Sequence, residues 1–296
     1  MLTITRSRSK TSEINHEHVL LMQPTDQEVK NVKVKHHVPP SFLQAALQKN
    51  ALPSVKLRGD ALMMIVQAPI ATEKKKGIAY DSIAIGIYLA PTYTVTICAS
   101  THPILSMTTT FSHEYVLALL QLIAMHTIDA LYEIDRRVTE TENKLKTAIH
   151  NKQMFNLMAY NRSLTMMART AKANQMMVHK LVYELHTWLD GEEDQQLLDI
   201  EVALNQAANM AQVYNINLGG LMDAYSAMIE NNLSISVQRL TVYVLMAAVP
   251  LGAAGIYGMN TPLPFQDAPY ALTIIMFICV VMIVLSGFIL RKKQII

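Results

Sequence analysis

Cysteine is scarce in this chain. Its 296 residues include only Cys98 and Cys279, which leaves no disulfide framework to hold a fold together. Charge is scarce as well: Asp, Glu, Lys and Arg make up 16% of the residues, against roughly 25% in an ordinary soluble protein. The 25 basic residues nearly balance the 23 acidic ones, and without a basic excess the chain lacks the electrostatic footprint of a nucleic-acid binder. Hydrophobic residues reach 51%, which excludes disorder as the dominant state. Catalytic signatures are missing. His16-Glu17 and His113-Glu114 begin like a zinc-protease HExxH, but Leu20 and Leu117 occupy the second-histidine positions. No phosphate-binding glycine loop, nucleophile elbow or Cys-x-x-Cys is found, so an enzyme is not expected. The His16/His18 and His36/His37 pairs suit a transition metal, but such short pairs are more often ordinary surface residues, and that is the reading taken. The N-terminus has no apolar core segment, so no signal peptide is expected.

What is present is hydrophobicity concentrated at one end. Leu240 to Tyr257 is an uncharged run of 18 residues and Tyr270 to Leu290 another of 21, each long enough to cross a bilayer as a helix. Arg239 precedes the first run and Arg291, Lys292 and Lys293 follow the second, while Gly258 to Pro269 holds no Lys or Arg. By the positive-inside rule both long ends are cytoplasmic and the connector faces out. The expectation is a multi-pass hairpin in the cell's inner (plasma) membrane, anchored to a large cytosolic body.

That body reads in two parts. Residues 1–110 form a mixed α/β domain, with strands expected at Leu2 to Thr5, Val19 to Met22, Leu62 to Gln67, Ser82 to Leu89 and Thr92 to Ala99. Thr25-Asp26-Gln27-Glu28 is a capping box opening a helix to about Lys35, and Pro39-Pro40 opens another. Lys74-Lys75-Lys76-Gly77 reads as a solvated turn tip. No proline stands between Pro103 and Pro250, so residues 111–239 should be almost entirely helical. Breaks near 148–152 and at Asp190-Gly191, with the glycine as a C-cap, give helices at about 112–148, 153–188 and 192–239, the last continuing into the membrane to about 257. Glu192-Glu193-Asp194 places negative charge in that helix's first turn, where it complements the dipole. At 1.5 Å per residue the third helix would be a rod about 100 Å long, softened at most at Gly219-Gly220. Leu218, Leu221, Met222, Tyr225, Met228, Ile229 and Leu233 give it an apolar stripe that wants partners. Residues 240–296 are the transmembrane hairpin with its outer loop and basic tail.

The first span ends in Gly255-Ile256-Tyr257-Gly258-Met259-Asn260. A ring of asparagines offers carbonyl dipoles without the tight grip of carboxylates, which suits Mg²⁺, an ion that keeps its waters. Gly258 permits backbone conformations that expose carbonyls to the same path. A simple helix C-cap and turn fits the same residues equally well. Stepping back from Asn260 by three or four gives one helix face: Gly255 (or Ile256), Leu251, Ala248, Val244, Leu240 and Val237. It is wholly apolar, a constriction able to gate by dewetting.

Tyr-Gly-Met-Asn at the exit of the penultimate span, a short connector, a final span and a basic tail together resemble the CorA-type magnesium transport proteins. The likeness extends over nearly the whole chain: Pro24-Thr25-Asp26, Pro39-Pro40-Ser41-Phe42-Leu43 and the Asp60 to Gln67 segment resemble the family's N-terminal domain, and Leu221-Met222-Asp223-Ala224-Tyr225 its stalk. The resemblance implies an α+β membrane protein: an N-terminal α/β cytosolic domain, a long helical stalk and two C-terminal transmembrane helices in a funnel-shaped homopentamer. It implies that Asn260, with Gly258 and Met259, forms the outer ion entrance. Asp223 matches an acidic residue at the cytosolic pore mouth. Asp199 matches an interfacial carboxylate for regulatory Mg²⁺, with Asp60 as its candidate partner on a neighbouring subunit; both also fit solvated surface carboxylates. Three departures stand out. Pro250 to the motif is one residue short, Leu251 or Gly252 replaces a pore threonine, and the outer loop carries a single carboxylate, Asp267.

The expected function is a Mg²⁺ influx channel driven by the membrane potential and gated by cytosolic Mg²⁺, with no prosthetic group. Two charges moving across 100 mV release about 4.6 kcal/mol, so no ATP site is required. Rivals are a Co²⁺, Ni²⁺ or Zn²⁺ transporter of the same fold and a non-conducting membrane-tethered scaffold. Expected partners are the transported ion, membrane lipid and further copies of the chain, without nucleic acid.

Overall fold

The computed structural model describes residues 2–8, 15–74, 77–107, 113–147, 151–185, 191–259 and 269–292. They divide into two units, Met1–Met222 and Asp223–Ile296.

In the first unit, alternation of apolar residues along the chain writes a sheet. Strands β1 (Leu2–Arg8), β2 (Asn15–Met22), β3 (Ser54–Arg58), β4 (Ala61–Lys74), β5 (Gly77–Leu89) and β6 (Tyr93–Cys98) lie in the order β1-β2-β6-β5-β4-β3. Only β2 and β6 run parallel; the other neighbours are antiparallel. Leu62, Met64, Val66 and Ala68 of β4 join Ile83, Ile85 and Ile87 of β5 in one core, and the intervening Ile65, Ala84 and Tyr88 join another. With both faces apolar, the sheet needs a helical layer on each side.

Helices α1 (Asp26–Lys35) and α2 (Pro40–Leu47) supply one layer through Val32, Phe42, Leu43 and Ala46. The capping box forms as expected, with Thr25 Oγ1 accepting from the Glu28 N–H at 3.3 Å and Glu28 Oε2 accepting from the Thr25 N–H at 2.8 Å. After the short α3 (Ile104–Met107), the long helices α4 (His113–Thr147), α5 (Asn151–Leu185) and α6 (Gly191–Tyr257) supply the other layer. Tyr115, Leu119, Leu120 and Ile123 of α4 pack there with Val178 and Leu181 of α5 and with Leu197 and Leu204 of α6.

β4 and β5 outrun their neighbours, so parts of both edges lack a strand partner. Buried backbone groups must still be satisfied, and α5 does this with side chains. Asn174 accepts from the Gln67 N–H at 3.1 Å and donates to the Gln67 carbonyl at 2.7 Å. Ser163 accepts from the Tyr80 N–H at 3.0 Å and returns its hydroxyl to the Tyr80 carbonyl at 3.3 Å. Pro69, which cannot donate to a ladder, sits on this same unpartnered stretch of β4, where its carbonyl meets His102 Nε2 at 3.0 Å.

The second unit holds the end of α6 and α7 (Ala271–Lys292). Their lengths and apolar sequences match the two expected spans. Only 6% of the most apolar window of α6 is buried, against 56% in α4, so the apolar window of α4 belongs to the core and that of α6 does not, although the start of α6 does pack there.

The structure corrects several expectations. Ser54–Arg58 forms a strand and Ile104–Met107 a helical turn, neither anticipated. Gly191 is the first residue of α6 rather than a C-cap. Glu193 in that first turn pairs with His113 at 2.7 Å, so the acidic run also ties the start of α6 to the start of α4. The Gly219-Gly220 pair interrupts nothing, since α6 runs through it. Lys75 and Lys76 of the expected turn tip lie outside the described residues.

Candidate functional site

The end of α6 is the candidate ion entrance. Its last turn closes through the Gly258 N–H to the Ala254 carbonyl at 2.9 Å and the Met259 N–H to the Ile256 carbonyl at 3.2 Å. Gly258 does not occupy the left-handed region; among the described glycines only Gly59 does. Its role in the closing turn is spatial instead, because a Cβ there would stand 3.1 Å from the Ala254 carbonyl oxygen. Asn260 lies outside the described residues.

Upstream, Val237, Leu240, Val244, Ala248, Leu251 and Gly255 follow one another at three- and four-residue steps on an unbroken helix and are all exposed within the single chain. Exposure alone does not single this face out, because Tyr243 and Leu245 on other faces are exposed too. Hydroxyls on the helix are satisfied locally: Thr241 donates to the Val237 carbonyl at 2.9 Å and Ser236 to the Asn232 carbonyl at 2.8 Å. Pro250 removes one N–H from the ladder, yet α6 continues past it. The two spans meet closely where Met246 approaches Gly287, whose missing Cβ would lie 3.2 Å from the Met246 Cε.

The three acidic candidates occupy different places. Asp223 is exposed on α6 at the start of the second unit. Asp199 is exposed on α6 in the first unit, accepts from Gln195 Nε2 at 3.2 Å, and lines a groove of about 140 Å³ with Gln121 and Met125 of α4. Asp60 is exposed on the two-residue tip between β3 and β4, after Gly59 at φ +59°, the positive φ that such hairpin tips require. Within one chain no hydrogen bond or ion pair among the described residues links Asp60 to Asp199.

The histidine pairs depart from expectation. His16 and His18 are buried on β2, not surface residues. Strand alternation aims both inward: His16 Nε2 meets Thr94 Oγ1 at 2.8 Å and His18 Nε2 meets Thr96 Oγ1 at 3.1 Å. Thr96 in turn donates to Tyr115 Oη at 2.9 Å, and the His18 ring lies 4.5 Å from that of Tyr115. Burial, and then the charge of His16, lowers the His18 pKa to about 4. His36 is buried and His37 exposed, so that pair diverges. Among the described residues no three His, Cys, Asp or Glu side chains gather as metal ligands. Arg162 and Arg169 of α5 line a polar cavity in the first unit; isolated basic residues on a helix carry no spacing signal that would have revealed it.

Comparison with known proteins bears on the whole chain. The family described as CorA-like Mg²⁺ transporter protein matches residues 17–292. The cobalt/magnesium transport protein CorA of Methanocaldococcus jannaschii is 22% identical over 284 residues, covering 91% of this chain and 88% of that protein. The complete structure of the CorA magnesium transporter from the same organism superposes with a TM-score of 0.82 at 20% identity, covering 100% of both chains. The full-length CmaX protein superposes with a TM-score of 0.73 at 10% identity, covering 97% of this chain and 90% of the other.

Proposed function

This chain belongs to the family of CorA-like Mg²⁺ transporter proteins, divalent-cation transporters of the membrane, and we propose that it is a passive Mg²⁺ influx channel driven by the membrane potential. The observation that carries the reading is the charge-free stretch Leu240–Tyr257 at the end of α6, which closes in a tight turn at Gly258-Met259 immediately before Asn260. Five copies around a common axis would bring five Asn260 carboxamides together. A neutral ring of this kind holds an ion through its water shell and releases it readily, as conduction requires. Below the ring, Gly255, Leu251, Ala248, Val244, Leu240 and Val237 form an apolar wall that excludes water in the closed state. Asp223 supplies negative charge at the cytosolic mouth. Both chain ends face the cytosol of a cell bounded by this inner membrane.

Gating follows from the carboxylates. When cytosolic Mg²⁺ is abundant, ions at Asp199 and Asp60 of adjacent copies would screen their repulsion and hold the closed state. Depletion would release it. A second reading, Co²⁺ as an alternative cargo, is favoured by the likeness to the cobalt/magnesium transport protein of Methanocaldococcus jannaschii; Ni²⁺ and Zn²⁺ are tested beside it.

The test is Mg²⁺ influx into liposomes carrying the purified protein, wild type beside Asn260→Ala. Influx by the wild type and its loss in the variant are expected. A variant that conducts like the wild type would remove the entrance from Asn260. Flux of Co²⁺, Ni²⁺ or Zn²⁺ without Mg²⁺ would keep the transporter and change the ion.

A further inference from the structure

Between α5 and the free stretch of β5 lies a cavity of about 510 Å³ in the first unit. Asn50, Thr72, Tyr80, Ser82, Arg162 and Arg169 are among its walls, a volume and lining of the kind that hold a small molecule of nucleotide size. The wall is firmly built, because Ser163 spends its hydroxyl on the Tyr80 backbone and on the Ala159 carbonyl and so fixes α5 against β5.

The charge on its walls is unbalanced, with Arg162 and Arg169 both exposed at the cavity's rim. Asp81 is the one carboxylate in the described wall, and Lys49 holds it at 2.6 Å while the Ser82 N–H donates to its other oxygen at 2.9 Å. Glu133, close enough to act on Tyr80, is itself held by Arg136 at 2.9 Å and Arg137 at 2.5 Å. Among the described residues, neither Arg162 nor Arg169 has an ion-pair partner. They stand seven residues apart, about two helical turns and 10 Å along α5, and so share one face. Burial first, and Glu133 second, push the Tyr80 phenol up from its ordinary value, which keeps it a neutral O–H donor.

We propose that this cavity binds a phosphate-bearing small molecule whose anionic oxygens are gripped by Arg162 and Arg169. Guanidinium forks match phosphate oxygens in pairs. Two guanidinium forks carried on one helix face, two turns apart, suit a ligand carrying several phosphates rather than a single small anion. The site uses no residue of the proposed ion path, and its assignment does not depend on what the chain transports.

The test is isothermal titration of the full-length protein in phosphatidylcholine nanodiscs, with EDTA present so that chelation of Mg²⁺ by the ligand cannot imitate binding. The probes are pyrophosphate, ATP and sulfate. Pyrophosphate and ATP should bind, more weakly as salt rises, and sulfate should bind more weakly than either. Arg162→Gln and Arg169→Gln should each weaken binding at least about tenfold, while Lys56→Gln on β3 leaves it unchanged. Arg162→Lys keeps the charge but loses the fork, and should weaken binding less than Arg162→Gln. Wild-type affinity in both glutamine variants, or no binding by any probe, would overturn the proposal. A repeat titration in nanodiscs containing phosphatidylglycerol should leave pyrophosphate and ATP affinity unchanged; loss of their binding there would assign the arginines to a lipid headgroup and overturn the proposal equally.

Discussion

At the scale of single residues, the tightest constraint is Gly86 on β5. A Cβ there would overlap that of Ala46 on α2 and stand 2.9 Å from Ile97 Cγ2. Neither neighbour has a flexible end that can swing away, so Gly86→Ala should cost about 1–3 kcal/mol. A melting temperature lowered by several degrees checks this; an unchanged one would mean that α2 yields freely. His18 gives a second prediction. Its pKa is about 4 in the fold and near 6.5 in an unfolded chain. Between those values the unfolded state binds the extra proton, so stability is complete above about pH 6.5 and falls as the pH drops toward 4. The loss is roughly 3 kcal/mol by the size of the shift. His18→Gln, which can still bond Thr96 but does not titrate, should flatten the melting-temperature profile over that range; a profile as steep as the wild type's would place the acid sensitivity elsewhere. The inward aim of His16 and His18 was not legible in the sequence. On a strand whose first residues are polar, an inward histidine and an outward one look alike until the partner hydroxyls of Thr94 and Thr96 are in place.

At the scale of elements, the long helices were legible because the absence of proline from 104 to 249 leaves one regular structure available. β4 and β5 were legible in their apolar halves and underestimated toward Lys74 and Gly77. β3 was not legible: of its five residues only Val55 is buried, so no alternation marks it. Gly191 shows how a boundary glycine is ambiguous. The acidic residues after it signal a helix start as strongly as the glycine signals a helix end. In α6 the pair Gly219-Gly220 stays helical, and a Cβ on either would meet nothing within 4 Å. Replacing each by alanine should therefore stabilise α6 by about 1 kcal/mol, read as a higher melting temperature. A decrease would show that neighbouring copies need the space. The candidate entrance was legible as a motif in its place between two apolar helices, but the proposed pore face was not separable from the other exposed faces of α6. All of them are bare in one chain, and only other copies would distinguish them.

At the scale of the whole molecule, the proposed gating needs more than one copy of the chain. Asp60 and Asp199 belong to a hairpin tip and to α6, and among the described residues no hydrogen bond or ion pair joins them; the proposed shared ion would be held between copies. The double variant Asp60→Asn, Asp199→Asn should stay conductive in liposomes loaded with internal Mg²⁺ that closes the wild type. Unchanged closure would sink this account of gating. The sheet carries a consequence for biosynthesis. Gln67 receives its edge partner from Asn174, 107 residues later, and Tyr80 from Ser163, 83 residues later. The β4–β5 hairpin therefore leaves the ribosome with bare hydrogen-bonding edges, open to pairing with another nascent chain. It stays so until α5 has been made. A message truncated between these segments would yield a fragment with every strand in place and no means of staying apart from its neighbours.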